Sequence, residues 1–283
     1  MEIFWRLVDL FWIKHPVNGH TNGKRKGAQT YMKFGNGCWL QREGIECFSP
    51  KEAYFVKTTE QGVTICAPTA NINHRGDTLG GINLTVKITA PAPEVIRVQV
   101  AHHLGVQAKL PKFDLTFAEG FKPEITENEE EVTVKSGSLA LRIDRKNWSM
   151  RYERDGKLLT TSAGRDLGYM RTGWTGLAYD NDPNGKAFMR QQLGLSVNEH
   201  VYGLGERFGA FIKNGQSVDI WNEDGGTSTD QSYKNIPFYL TDKGYGVFVN
   251  HPEKVSFEIA TEQVAKVEFS VPGENLDYFV ING

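Results

Sequence analysis

The stretch EVIRVQV, Glu94 to Val100, puts Ile96, Val98 and Val100 on one face of an extended chain and Val95, Arg97 and Gln99 on the other. A period of two with one apolar face is the signature of a half-buried antiparallel strand, because successive side chains leave a pleated backbone on opposite sides. Working outward, the same texture recurs in VTICAPT (63–69), INLTVKITA (82–90), EVTVKSGSLALRID (131–144) and WSMRYERDGKLLTT (148–161). Turn signals separate these runs at Gly80-Gly81, Pro91-Ala92-Pro93, Ser136-Gly137 and Asp155-Gly156. Asp155-Gly156 is the pair favoured in two-residue hairpins, where both central residues need positive φ. The second half continues with NIPFYLTDKGYGVFVNH (235–251), KVSFEIA (254–260), KVEFSV (266–271) and LDYFVI (276–281). No window supports a long amphipathic helix, and no internal repeat is visible. The expectation is an all-β chain folded as a large antiparallel β-sandwich. The irregular stretch from Gly164 to Val197 is expected to be a long connection or inserted loop.

The first 31 residues differ from the rest. Phe4, Trp5, Leu7, Val8, Leu10, Phe11, Trp12 and Ile13 cluster, but Arg6, Asp9 and Lys14 interrupt them. A membrane span needs roughly 20 apolar residues and a signal h-region about 7–15, so this stretch matches neither. The polar, glycine-rich NGHTNGKRKG follows (18–27), and Met32 then opens a stretch that reads like a natural start. Residues 1–31 are therefore expected to be a disordered upstream extension, and 32–283 the β-sandwich domain. The 283 residues carry 32 basic and 34 acidic side chains, a net charge of -2, with no long run of either sign. That excludes an electrostatic case for nucleic acid or a polybasic membrane contact. Cys38, Cys47 and Cys66 form neither a disulfide framework nor a metal-ligand spacing, so free thiols in a reducing, cytoplasmic setting are expected.

Several motifs can be set aside. Asp180 to Gly185 opens like a calcium loop, but Gln191 stands where the bidentate glutamate belongs and no helix flanks it; it reads as a polar turn. Gly203-Leu204-Gly205 lacks the third glycine and the βαβ context of a dinucleotide site. His102 and His103 would face opposite sides of a strand, which argues against a shared metal. No cofactor and no metal are expected. Glu206 and Arg207 are expected to form a structural ion pair or to brace the adjoining loop.

The informative region is 201–251, dense in glycine, aromatic and acidic residues. Flat rings such as Phe208, Trp221 and Tyr233 can cover the C–H face of a sugar, while Asn222, Glu223 and Asp224 can bond its hydroxyls. On composition alone the better reading is an aromatic-rich strand pair with a polar loop, mostly core plus turn. The wording of the region is more specific. VYGLGERF (201–208), NGQSVDIWNEDGGTSTDQSYKNIPFYLT (214–241) and GYGVFVNHPEKVSFEI (244–259) closely resemble the amino-terminal domain of family 31 glycoside hydrolases, α-xylosidases among them.

The resemblance runs from about Met32 to Gly283 and implies a galactose-mutarotase-like supersandwich. Family members are retaining α-glycosidases whose chemistry sits on a (β/α)8 barrel, which this chain lacks. Retention needs two carboxyl groups about 5–5.5 Å apart. In the family both are barrel aspartates, the nucleophile within a Trp-x-Asp-Met-Asn-Glu type motif that does not occur here. No catalytic residue is therefore assigned, and the chain alone is expected to be inactive. The family's amino-terminal domain leans a loop over the barrel mouth, and the aspartate of its Asn-x-Asp element matches Asp224. The resemblance thus implies substrate contacts from Asp224, with Thr227, Trp221, Glu223 and Tyr233 as further candidates. The implied partners are an α-xyloside or α-glucoside and the missing barrel of the same polypeptide. An α-glucosidase fragment, a stand-alone carbohydrate-binding module and a purely structural module remain alternatives, and homo-oligomerisation stays open.

Overall fold

The computed structural model describes residues 33–35, 41–102, 113, 115–173, 186–223 and 230–283. These residues form nineteen strands, and among them there is no α-helix, only one turn of 3₁₀ helix at Arg75–Thr78. The expected all-β antiparallel architecture is present.

After β1 (Ile45–Phe48), the chain runs β2 (Phe55–Thr59), β3 (Gly62–Pro68), β4 (Asn83–Ala92) and β5 (Val95–Ala101) as an antiparallel meander. In β5, Ile96, Val98 and Val100 are buried in the main core while Arg97 and Gln99 are half-buried, as the alternation requires. Burying each of those three side chains contributes about 1.5–3 kcal/mol. The β4–β5 turn lies at Pro93-Glu94, two residues past the centre of the predicted one, because a register shift after Thr89 carries β4 on through Pro91.

A second meander follows: β6 (Glu124–Glu127), β7 (Glu131–Ser136), β8 (Leu139–Asp144), β9 (Ser149–Arg154) and β10 (Lys157–Ser162) make a five-stranded sheet. Asp155 (φ 47°) and Gly156 (φ 77°) close its β9–β10 hairpin in the left-handed region, the geometry expected of that pair. Then come β11 (Gly168–Thr172), β12 (Ala187–Gly194), β13 (Val201–Gly203), β14 (Gln216–Ile220), β15 (Phe238–Thr241), β16 (Tyr245–Val249), β17 (Val255–Ile259), β18 (Lys266–Pro272) and β19 (Asn275–Asn282).

β11 and β12 correct the expectation for 164–197. Within that span they form two interior strands of a six-stranded sheet ordered β1-β11-β12-β18-β17-β14. The physical reason is that β12, AFMRQQLG, is buried on both faces and carries polar residues on each, so no alternation marks it. The remaining strands form an eight-stranded sheet, β13-β15-β16-β19-β5-β4-β3-β2. The polar turn expected at Asp180 to Gly185, Cys38 and residues 1–31 lie outside the described residues.

One continuous core joins the three sheets, with Phe257 and Phe269 from the six-stranded sheet, Tyr278 and Val98 from the eight-stranded one, and Tyr152 from the five-stranded one with Trp148 from its β8–β9 turn. The sheets also meet through polar groups. Tyr152 and Tyr278 place their hydroxyls 3.0 Å apart, Tyr278 reaches Gln191 Oε1 at 3.3 Å, and Gln191 Nε2 donates to Ser162 at 2.6 Å. A satisfied buried network of this kind specifies how three layers register, since each unpaired group would cost its desolvation.

The outer face of the six-stranded sheet is polar yet buried. Arg190, Gln192, Glu258 and Glu268 all lie there with little exposure. Residues 33–35 cross this face: Lys33 pairs with Glu258 at 3.4 Å, Phe34 packs against Phe188 and Met170, and Gly35 donates to Glu262.

Candidate functional site

The candidate site begins where β13 ends. Gly203, Leu204 and Gly205 all have positive φ, which turns the chain sharply against the strand-entry segment 234–238. A Cβ on Gly205 would sit 2.1 Å from the Lys234 carbonyl oxygen, and one on Gly203 2.8 Å from that of Phe238. The Gly-x-Gly therefore serves close backbone approach and not a phosphate cradle. Leu204 N donates to Phe238 O at 2.8 Å and Glu206 N to Lys234 O at 2.9 Å, which seals the two segments together.

Arg207 follows immediately. Its guanidinium donates to the carbonyls of Leu204 (3.3 Å), Asp219 (3.0 Å) and Asp230 (2.9 Å) and to the side-chain oxygen of Asn235. Burial pulls its pKa below the ordinary guanidinium value, with Asp230 and Asp219 acting in the opposite sense. The bracing role expected of Arg207 is present, whereas the ion pair with Glu206 is not: Glu206 faces Lys234 at 3.6 Å, both well exposed. Adjacent residues in this turn point apart, so the acid finds its cation across the seam instead.

β14 leads into Trp221, Asn222 and Glu223, and the chain is described again from Asp230. The two limbs meet in a parallel bridge, Asn222 with Ser232, and Glu223 N donates to Ser232 O at 3.1 Å. Gln231 Nε2 donates to the Glu223 carboxylate. Asn235 Nδ2 is bonded to Trp221 O (2.8 Å), Ser232 O (2.8 Å) and Asn222 Oδ1 (3.1 Å), while its backbone N–H reaches Asn222 Oδ1 at 3.0 Å. Lys254 at the neighbouring β17 entry pairs with Asp219 at 2.7 Å and holds the base of the first limb.

The structure thus brings three of the sequence-predicted residues, Trp221, Glu223 and Tyr233, onto one pair of limbs, all exposed, with Trp221 at 53% and Tyr233 at 63%. Large aromatic side chains left in solvent beside rigid backbone are the feature a sugar face needs. Asp224 and Thr227 lie outside the described residues. Sequence reasoning missed Asn235, whose only prior sign was its place before Ile-Pro at a strand entry.

Elsewhere, His102 stacks on Tyr169 with ring centroids 4.1 Å apart and its Nδ1 lies 3.2 Å from Glu274 Oε1, a packed pair within the sandwich. Among the described residues, no three His, Cys, Asp or Glu side chains gather so as to hold a metal ion. Cys47 and Cys66 are free and half-buried, Cys66 donating to Asn83 at 3.1 Å.

Three antiparallel sheets on one core agree with the galactose-mutarotase-like supersandwich that the resemblance implies. The profile of the glycosyl hydrolase 31 N-terminal galactose mutarotase-like domain matches residues 85–258, more than half of the chain. The chain belongs to that family. It is 40% identical over 255 residues to the α-xylosidase XylQ of Lactiplantibacillus pentosus, covering 89% of this chain and 32% of that protein. An α-xylosidase of Emericella nidulans is 40% identical over 267 residues, covering 89% and 34% respectively. The chain therefore spans about a third of the length of these relatives. Among solved structures, a cycloalternan-forming enzyme from Listeria monocytogenes superposes with a TM-score of 0.67 at 19% identity, over 84% of this chain and 21% of that one; it supports the fold alone.

Proposed function

We propose that this chain shapes the substrate site of a retaining α-xylosidase, as the amino-terminal domain of a polypeptide whose barrel carries the catalytic aspartates. The observation that carries this reading is the exposed set Trp221, Glu223 and Tyr233 on two pinned limbs, in a chain 40% identical to α-xylosidases over 89% of its length. In this reading Asp224 accepts hydrogen bonds from sugar hydroxyls, Thr227 and Glu223 add polar contacts, and Trp221 and Tyr233 offer faces to the sugar's C–H groups. The barrel supplies the opposing wall, because one loop by itself buries little of a monosaccharide.

The test is to splice residues 32–283 in place of the matching part of the Lactiplantibacillus α-xylosidase and follow hydrolysis of a chromogenic α-xyloside. The joined enzyme is expected to turn over, and the 283-residue chain alone is not. Asp224→Ala and Trp221→Ala are each expected to lower kcat/KM by a factor corresponding to roughly 1–3 kcal/mol. Unchanged kcat/KM in both variants would reduce the domain to a structural role.

A further inference from the structure

Trp221 and Glu223 follow β14 on the first limb and Tyr233 lies on the second, and one side chain touches both limbs, at Asp219 within β14 and at Asp230. Arg207 Nη2 binds the Asp219 carbonyl at 3.0 Å and Nη1 binds the Asp230 carbonyl at 2.9 Å. The two nitrogens belong to one planar group of fixed width, so the spacing between these two carbonyls is constrained by covalent geometry. The same group holds Asn235, whose amide nitrogen carries the constraint on to Trp221 O, Ser232 O and Asn222 Oδ1. The acceptors around Arg207 are an amide and backbone carbonyls; among the described residues no carboxylate oxygen lies within 4 Å of the guanidinium, Asp219 being engaged by Lys254 instead. A half-buried cation surrounded by neutral acceptors is not there for ion pairing. Its distinctive contribution is several directed N–H bonds from one rigid fork.

We propose that Arg207, acting through Asn235, is the positioning residue of these limbs: it sets the spacing and orientation at which Trp221, Glu223 and Tyr233 are presented. The proposal rests on the reading that this face meets the sugar only in its functional consequence; the positioning itself is a property of the 283-residue chain. Lysine keeps the charge at 207 but cannot reach both carbonyls and Asn235 at once. Asn235→Asp keeps an acceptor for Arg207 and removes the donors to Trp221 and Ser232.

Amide hydrogen exchange on the 283-residue chain reads this directly. In Arg207→Lys the Glu223 and Asn235 amides, bonded to Ser232 O and Asn222 Oδ1, are expected to exchange about tenfold faster or more, with the β14–β17 ladder protected as before. Asn235→Asp is expected to speed Glu223 in the same way. Unchanged exchange at Glu223 and Asn235 overturns the proposal. So does a uniform loss of protection through β13–β16, which would make Arg207 a keystone of the core. In the spliced enzyme, Arg207→Lys is expected to raise KM about tenfold with kcat within about twofold, the pattern of misplaced binding groups. If exchange shifts as stated while Trp221→Ala leaves turnover untouched, the positioning stands and the sugar-facing reading falls.

Discussion

β5 and β12 are both interior strands, and they are buried by opposite means. β5 hides Ile96, Val98 and Val100 in the main core and turns Arg97 to a half-open surface, where the guanidinium lies over Phe117 and Phe279 and makes a bidentate bond to Asp277. β12 is enclosed on both sides. Its inward face carries Gln191 into the network of Tyr152, Tyr278 and Ser162, and its outward face carries Arg190 and Gln192 beneath residues 33–35. The lesson concerns solvent: a strand advertises itself by alternation only when one face stays wet.

The sharpest way to break the comparison is to delete the arginine of each strand. Arg190 is nearly inaccessible and lies 3.8 Å from an equally buried Glu268, with Glu258 on the same face and Glu262 close by. Arg190→Ala leaves the buried Glu268 carboxyl without its cation and is expected to cost about 3–5 kcal/mol. Arg97→Ala, where water can reach Asp277, is expected to cost about 1–2 kcal/mol. Urea unfolding of both variants checks this; equal losses would mean the two strands are not buried differently in energetic terms.

A smaller effect appears in pH. Burial pushes the Glu268 carboxyl up to about 7 from an ordinary 4.5, with Arg190 pulling in the opposite sense. Burial likewise pushes His251 down to about 4 from 6.5. Between pH 4.5 and 6.5 the folded chain therefore holds a proton on Glu268 that the unfolded chain has released, and lacks one on His251 that the unfolded chain keeps. The first makes stability fall as pH rises; the second makes it rise. The two nearly cancel, so the native stability profile from these groups is close to flat in that window and declines slightly towards pH 7. Glu268→Gln removes one side of the balance, and stability should then climb with pH at up to about 1.4 kcal/mol per unit across the window. A profile for Glu268→Gln as flat as the native one would show that Glu268 does not hold its proton in the fold.

The same contrast explains what was legible in the sequence. β3–β5 and β7–β10 were readable because their strands alternate and their turns use residues with a specific backbone geometry, Asp155-Gly156 above all, whereas the short edge strands β2 and β6 were not read. β11 and β12 were not, because Arg190, Gln191 and Gln192 look like loop residues until partners distant in sequence satisfy them. At the candidate site, Trp221, Glu223 and Tyr233 were singled out from residue type and family wording, and the structure places them on one pair of limbs. Asn235 was invisible because its role lies in which carbonyls surround it, which only the folded backbone decides.

Gly156 and Gly205 carry the comparison down to single glycines. Both have positive φ, 77° and 86°, but a Cβ at Gly156 meets nothing within 4 Å whereas one at Gly205 runs into the Lys234 carbonyl. Gly156→Ala should therefore cost only the left-handed backbone term, about 1 kcal/mol, and leave the hairpin register Lys157 to Arg154 intact. Gly205→Ala must also separate segments 203–206 and 234–238, so it should cost more and speed exchange at the Glu206 amide, which bonds Lys234 O. Thermal unfolding ranks the two. If Gly156→Ala proves as damaging as Gly205→Ala, then backbone conformation outweighs close approach at the turn after β13, and the tight seam beside Arg207 is not what the second glycine is there to permit.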